Sequence, residues 1–189
     1  MQPACQIAFK EWAAVCEALA AGRQTIILRK GGLQDEIEKF RIAAHHGFWL
    51  YPTNFHQQAE SLAGDPGEFI KRAIEARPAD GQVAIRLYAK LDFINDLTTE
   101  ASCLRLAGLH IWSEATVRQR FAYRFPRLFV LGVRIFVRKE PLVLSESPDM
   151  AGCKSWLTLP EPISTEGLVP VLADEQYLHQ GKAVFAALA

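Results

Sequence analysis

Two cations followed by a glycine pair are the residues whose types and spacing best suit anion binding. Residues 24–32 read QTIILRKGG, in which 25–28 are typical of a buried strand and Arg29 and Lys30 stand at its end. Glycine has no Cβ, so a glycine pair lets the backbone turn sharply or approach a ligand closely. The pattern predicts a strand end that binds phosphate or carboxylate. The alternative is a solvated strand end followed by an ordinary turn.

The charges are unevenly distributed along the chain. Residues 115–139 contain seven cations and no acid, whereas the chain from Glu140 onward contains seven acids and two lysines. The formal net charge of zero therefore combines a +7 segment, a −5 tail and a near-balanced remainder. A basic segment dominated by arginine, with aromatic neighbours, is typical of a surface that follows a nucleic-acid backbone and stacks bases. The alternative is an acidic tail that folds back and neutralises this segment.

Seven residues form the predicted binding surface for nucleic acid or nucleotides, together with the other arginines between residues 118 and 127. They are Arg29, Lys30, Arg86, Tyr88, Arg118, Arg134 and Arg138. The expected partner is RNA or single-stranded DNA, because arginine binds phosphate and aromatic side chains stack on any base. Neither a metal nor another cofactor is expected, and the sequence specifies no oligomeric state.

Two other functions fit parts of the sequence. The first is a metal-dependent nuclease built on Glu17 with histidine or aspartate ligands. Against it, the chain lacks an aspartate followed by Glu-x-Lys on adjacent strands, and the acids of residues 36–39 are off that spacing. His45 and His46 have no second cluster at ligand spacing, so a polar surface is their expected role. The second is an adaptor or assembly protein whose basic segment meets an acidic partner.

The elements that must position these residues begin with two alternating segments, which predict half-buried strands. In residues 82–91 the odd-numbered positions from 83 onward are apolar, whereas Arg86, Tyr88 and Lys90 occupy the other face. This strand is expected to have a basic, aromatic outer face. Residues 127–139 form the longest strand candidate and alternate in the same way.

Helical spacing predicts the elements around these strands. Apolar residues recur three and four apart from Phe9 to Leu19, so a first helix is expected over residues 8–21. A second helix is expected over residues 68–77, with Ile74 among its inward-facing residues. Four further elements are expected. They are a strand over 48–51 ended by Pro52, a buried strand over 110–112, a helix from Ser113 to Phe121, and a final helix over 174–188. A further helix is expected to follow Pro52.

Together these elements predict a single α+β domain over residues 1–189, with a mixed, largely antiparallel sheet and three to five flanking helices. Nine core residues are expected: Trp12, Leu19, Ile26, Leu28, Trp49, Trp112, Phe129, Leu131 and Trp156. No apolar run approaches the roughly 18 residues of a membrane span. Four cysteines without a Cys-x-x-Cys pair favour reduced thiols, so the expected compartment is the cytoplasm.

Four stretches, taken together, resemble an uncharacterised and mainly bacterial family known as domain of unknown function family 1802. They lie in the same order along most of the chain: residues 12–32, the Tyr-Pro-Thr to His-Gln stretch at 51–57, His-Ile-Trp at 110–112, and Gly-Cys-Lys-Ser-Trp at 152–156. The resemblance implies a stand-alone cytosolic protein of about this size. It implies no activity.

A weaker similarity is to ASCH-type domains of the PUA-like class. These domains open with a helix, then a Gly-x-Lys-Thr turn, then a strand that ends in arginine. Gly22, Thr25 and Arg29 fit that pattern, but Gln24 replaces the lysine and Ile27 stands where an acid is often found. The resemblance implies a small, partly closed PUA-like barrel that binds RNA or modified nucleotides. With these departures it supports binding more than chemistry.

Overall fold

One mixed sheet organises the part of the chain that the structure describes. The structure is a computed structural model, and it describes residues 2–30, 47–54, 58–64, 67–150, 152 and 154–189. The strands are β1 (Ala4–Trp12), β2 (Ile26–Arg29), β3 (Phe48–Thr53), β4 (Gln82–Leu97), β5 (Leu128–Ser145), β6 (Trp156–Ser164) and β7 (Val169–Pro170). The α-helices in these ranges are α1 (Ala13–Ala20), α2 (Gly67–Glu75), α3 (Glu100–Leu104), α4 (Glu114–Ala122) and α5 (Asp174–Leu188).

The strand order confirms a mixed, largely antiparallel sheet in an α+β fold. The order is β2-β5-β4-β3-β1-β6, and β7 pairs with β5 beside this path. Strands β1 and β3 run parallel, and the other neighbouring pairs run antiparallel. The two end strands β2 and β6 do not pair with each other within the described ranges, so the sheet is not closed there. No helix in these ranges is long and apolar enough to cross a membrane.

The long ladder between β4 and β5 confirms both alternating segments as strands, and β4 runs on to Leu97. The register of the β4–β5 ladder shifts between Ile85 and Leu87, where a β-bulge interrupts the alternation of buried and exposed residues. Before the bulge, odd-numbered residues face a core cluster that also contains Tyr88; after it, Leu87, Ala89 and Leu91 face a second cluster. Tyr88 is therefore buried, with no exposed surface, and the predicted aromatic outer face is wrong at this position.

The first element is a strand followed by a helix, which corrects the helix predicted over residues 8–21. Strand β1 lies between β3 and β6, and its ladder partners cover residues 4–12. Ala8 and Phe9 are both fully buried, because apolar clusters cover both faces of this central strand. The apolar spacing from Phe9 to Leu19 therefore spans a strand end and a helix. Local periodicity does not distinguish this arrangement from one long helix.

The strand predicted over residues 48–51 continues through Pro52 to Thr53. The first turn of the helix expected after it lies outside the described ranges, and the described chain resumes with a 3-10 turn over Ala59–Ser61. Pro52 is tolerated because β4 pairs only with Phe48 and Trp49. At Pro52 the ladder partner is β1 alone in the described ranges, so one side of β3 is unpaired there. Residues 55–57, which include His56, lie outside the described ranges.

Most of the predicted core is confirmed. Seven of the nine residues are buried, and Trp12 and Trp156 are half-buried beside the larger cluster. Helix α4 begins at the predicted cap, since Ser113 Oγ accepts a hydrogen bond from the Thr116 N–H at 3.3 Å. Ile74 is 67% exposed, so the inward orientation predicted for it is wrong. Residues 110–112 form only an isolated bridge between Leu62 and Trp112 rather than a strand.

Two glycine substitutions test the packing of this sheet against the C-terminal helix. A Cβ at Gly132 in β5 would overlap the ring of Phe93, which also contacts Phe185 of α5. We expect Gly132→Ala to lower the free energy of unfolding by about 1–3 kcal/mol. A Cβ added at Gly181 in α5 would meet no neighbouring group within 4 Å. Gly181→Ala should therefore raise stability by about 0.5–1 kcal/mol.

Urea unfolding of the two variants measures both effects. An unfolding midpoint for Gly132→Ala equal to that of the unmodified chain would show that Phe93 does not pack on this glycine.

Candidate nucleic-acid interface

Arg29 stands at the end of β2 and reaches across to the first strand. Its guanidinium carbon lies 4.6 Å from the centre of the Phe9 ring, and Nη2 donates a hydrogen bond to Ser155 Oγ at 2.7 Å. Nη1 lies 4.0 Å from Glu11 Oε2. The predicted strand end thus does carry an oriented arginine. Its partners come from β1 and from the segment before β6.

Arg120 faces the same region from helix α4. Its guanidinium carbon lies 3.6 Å from the centre of the Trp112 ring and 5.5 Å from that of Trp12. The two tryptophans pack edge to face with centroids 4.8 Å apart, so the arginine lies over an aromatic pair. The outward orientation predicted for Arg120 is wrong, because the side chain is half-buried on this aromatic pair. In the described chain the guanidinium has no hydrogen-bond acceptor.

The charges of this cluster do not cancel. Glu11 is only 2% exposed; its Oε1 accepts from the Trp12 N–H at 2.8 Å, and its Oε2 accepts no hydrogen bond from described residues. Burial lowers the pKa of Arg120 to about 10, while the Glu11 carboxylate raises that pKa and Arg29 lowers it further. Two guanidinium groups and one carboxylate leave a charge of +1. We call Glu11, Arg29, Trp112, Arg120 and Ser155 the Arg29–Arg120 site.

Lys30 has a structural role. Its ammonium donates to the carbonyl oxygens of Phe121 and Arg127, at 3.0 Å each, and also to that of Phe125. These three bonds use all of its donors and fix the end of α4 to the loop that follows. Burial lowers the pKa of Lys30. The glycine pair that follows Lys30 lies outside the described ranges.

The loop after α4 exposes two aromatic rings on either side of an arginine. Tyr123 is 57% exposed and Phe125 is 43% exposed. Arg124 between them has φ = 61°, and within the described ranges it is the single non-glycine residue with positive φ. Such a backbone costs free energy for a residue with a Cβ and is concentrated at functional sites. We call Tyr123, Arg124 and Phe125 the aromatic loop.

The remaining predicted arginines each contact acceptors within the chain. Arg86 donates to both carboxylate oxygens of Glu17 at 2.7 Å, Arg118 pairs with Glu100 and Glu114, and Arg134 pairs with Asp174. Arg138 donates to the carbonyl oxygens of Glu140 and Ser164, both at 3.2 Å. The Arg134–Asp174 pair is one contact of the kind expected if the acidic tail folds back on the basic segment.

Tyr88, the aromatic residue of the predicted surface, is buried rather than exposed. Its ring packs edge to face on Trp49 with centroids 5.2 Å apart, beneath the sheet surface. No ring face is left for a base.

The described ranges hold no cluster of three metal-ligating side chains. Glu17, the acid of the alternative nuclease centre, instead accepts from Arg86. His45, His46 and His56 lie outside these ranges.

With this geometry established, the comparisons place the chain among known proteins. A sequence model described as Domain of unknown function (DUF1802) matches residues 8–183. The chain belongs to the DUF1802 family. No curated protein matches the sequence.

Among solved structures, this DUF1802 chain is similar to ASCH from Zymomonas mobilis, with 14% identity, a TM-score of 0.44, and coverage of 95% of this chain and 93% of that one. A mutant of the same protein gives 15% identity, a TM-score of 0.43, and coverage of 93% and 94%.

Sequence reasoning on this DUF1802 chain found Arg29 but missed its partners. Glu11 lies inside the segment predicted as a helix, which hid its place at the end of a central strand. Ser155 and Trp112 belong to stretches that carry the family resemblance. That membership is the available signal, although it does not indicate what they contact.

A buried histidine beside the site supplies a pH test. His110 is 3% exposed, and its Nδ1 accepts from the Trp112 N–H at 3.2 Å. Burial, with the charges of Arg23 and Arg120, lowers the pKa of His110 from 6.5 to about 4. Between those pH values the unfolded chain binds a proton that the folded chain does not. Lowering the pH from 6.5 to 4 should therefore cost stability, by roughly 3 kcal/mol from this group.

His110→Asn keeps an acceptor near the Nδ1 position but removes the titration. The loss of stability between pH 6.5 and 4, measured by urea unfolding, should be smaller in this variant. His179→Asn, at an exposed position of α5, is the control and should retain the full loss. Equal losses in the two variants would show that His110 does not contribute.

Proposed function

We propose that this protein binds single-stranded RNA or DNA, with a backbone phosphate between Arg29 and Arg120 and bases stacked on the aromatic loop. The observation that carries the proposal is the Arg120 guanidinium, which stacks on Trp112 at 3.6 Å and has no acceptor among the described residues. A guanidinium has five N–H donors in a planar fork that matches two phosphate oxygens. An arginine held over a tryptophan ring has lost part of its freedom before the phosphate arrives, which favours that contact.

The charge balance of the Arg29–Arg120 site favours an anion. Its +1 charge is half-buried, where water screens it less than at an open surface. Glu11 holds Arg29 in place without neutralising both guanidinium groups. A phosphate that enters receives hydrogen bonds from donors already positioned, so little side-chain entropy is lost on binding.

The aromatic loop favours nucleic acid over a free inorganic anion. Tyr123 and Phe125 follow Arg120 on the same stretch of chain, and Lys30, next to Arg29, holds the base of the loop. The phosphate site and the exposed rings are therefore tied together by one lysine. Stacking of a base on an exposed ring contributes about 1–3 kcal/mol and tolerates any base.

Arg134 and Arg138 on β5, with Arg86 and Arg118, form the other part of the proposed surface. Their acceptors within the chain must be displaced before they can bind phosphate. We therefore assign them a smaller share of the binding free energy than Arg29, Arg120 and Arg124.

Two double variants separate these surfaces. Arg120→Gln/Arg124→Gln changes the proposed site, and Arg134→Gln/Arg138→Gln changes the sheet face; each removes two positive charges. Fluorescence polarisation with labelled RNA and DNA oligomers of about 12 nucleotides measures affinity between roughly 50 and 200 mM salt. The first variant should flatten the salt slope by about 1.4, because each lost single-strand phosphate contact removes about 0.7. The second should flatten it less.

Lys71→Gln/Arg72→Gln, on the exposed face of α2, also removes two positive charges; it is the matched control and should leave the slope nearly unchanged. Affinity weaker than roughly 10⁻⁴ M at low salt would contradict the proposal. In that outcome, binding of an acidic peptide instead would favour the adaptor function.

A single substitution in the aromatic loop tests whether its backbone strain serves binding. Asparagine tolerates positive φ better than arginine, so Arg124→Asn should raise the free energy of unfolding by about 0.5 kcal/mol. The same variant should bind the oligomers more weakly, since it loses a cation. Urea unfolding and polarisation measure the two quantities. Unchanged affinity together with higher stability would show that Arg124 plays no part in binding.

A further inference from the structure

A cleft with a volume of about 160 Å³ lies between α1, α2 and the start of β4. It shares no residue with the Arg29–Arg120 site or the aromatic loop, and Arg86 is the one residue that it shares with the rest of the proposed surface. Most of its wall is apolar, formed by small and aliphatic side chains such as Ala13, Leu50, Ala73, Val83 and Leu87. The cleft is concave and its lining is mostly apolar, as in small-molecule sites.

An ion pair lines one part of this cleft. Arg86 Nη2 donates to both oxygens of Glu17 at 2.7 Å, and the side chains are 31% and 12% exposed, respectively. The other donors of Arg86, Nε and Nη1, have no acceptor among the described residues. Glu17 thus holds the guanidinium in one orientation and leaves its remaining donors for a ligand.

The hydrogen-bond donors of the lining select the sign of that ligand. Both arginines of the lining have a carboxylate partner: Arg86 pairs with Glu17, and Arg77 pairs at 2.7 Å with Asp80, which does not line the cleft. The donors of Arg86 that have no acceptor among the described residues favour an anion, and the nearby Glu17 carboxylate favours a single negative charge over two. Burial raises the pKa of the Cys16 thiol well above its ordinary value, so the sulfur is a neutral part of the wall.

We infer that this cleft binds a small organic monocarboxylate whose apolar body is about the size of a six-membered ring. An engineered cavity of about 150 Å³ in another protein holds benzene, so a ring fits a space of this size. The carboxylate would accept from the free donors of Arg86 while the ring packs on the aliphatic wall. Recognition thus needs both parts of the ligand.

Three probes of one shape and different charge test this assignment. Benzoate, benzamide and benzylamine are titrated into the full chain, and amide chemical shifts are followed by NMR. Benzoate should give saturable shifts centred on α1, α2 and the start of β4. Benzamide should bind about tenfold more weakly, because it lacks the charge-assisted hydrogen bond, and benzylamine should not bind.

Two tryptophan substitutions separate the cleft from the surface around it. Ala76 lines the cleft at the end of α2 and is exposed, so Ala76→Trp should abolish benzoate binding without unfolding the chain. Ala79→Trp is the matched control, since Ala79 is exposed nearby but does not line the cleft. Oligonucleotide binding should be unchanged in both variants, so this inference and the proposed function are tested separately.

The role of the ion pair is tested by Glu17→Gln/Arg86→Met, which leaves no unpaired charge in the cleft. Affinity for benzoate should fall about tenfold or more while that for benzamide stays the same. The inference is overturned if benzoate shifts do not saturate below roughly 10 mM. It is equally overturned if Ala76→Trp binds benzoate normally, or if benzamide binds as tightly as benzoate.

Discussion

The burial of both faces of the central strands is the constraint on which the rest of the structure depends. In β3, four consecutive residues from Phe48 to Tyr51 are buried, and Phe9 and Tyr88 on the neighbouring strands have no exposed surface. A sheet covered on both faces leaves no open area on which cations can spread. Charged side chains therefore gather at strand ends and edges, as Glu11 and Arg29 do, or pair with acids from other elements.

This constraint also explains why the strongly basic segment does not act as one surface. Ion pairs with carboxylates from other parts of the chain are formed by Arg118, Arg127 and Arg134. Local excess positive charge remains where packing favours stacking over ion pairing, at Arg120 on Trp112, and in the loop with Arg124. The proposed interactions with anions thus depend on local environment rather than on net charge, which is zero.

The two proposed sites use arginine in different ways. In the Arg29–Arg120 site an aromatic face orients the guanidinium and exposed rings lie on the adjoining loop, which suits an extended, flexible polymer. In the cleft, Glu17 orients Arg86 and aliphatic walls enclose the ligand, which suits a compact molecule. In both, orientation before binding lowers the entropy lost when the ligand arrives. Neither arrangement requires a metal or a nucleophile.

The sequence by itself determined the elements whose signals are local. Strict alternation identified β4 and β5, Ser113 marked the start of α4, and most of the expected core is buried. Tertiary structure decided the rest, because the deciding contacts join distant residues. The bulge after Ile85 moved Tyr88 into the core, and pairing with β3 and β6 made residues 4–12 a strand. Arg29 meets a serine 126 residues away. Local periodicity carries no information about such partners, so the sequence indicated a candidate arginine but not the site around it.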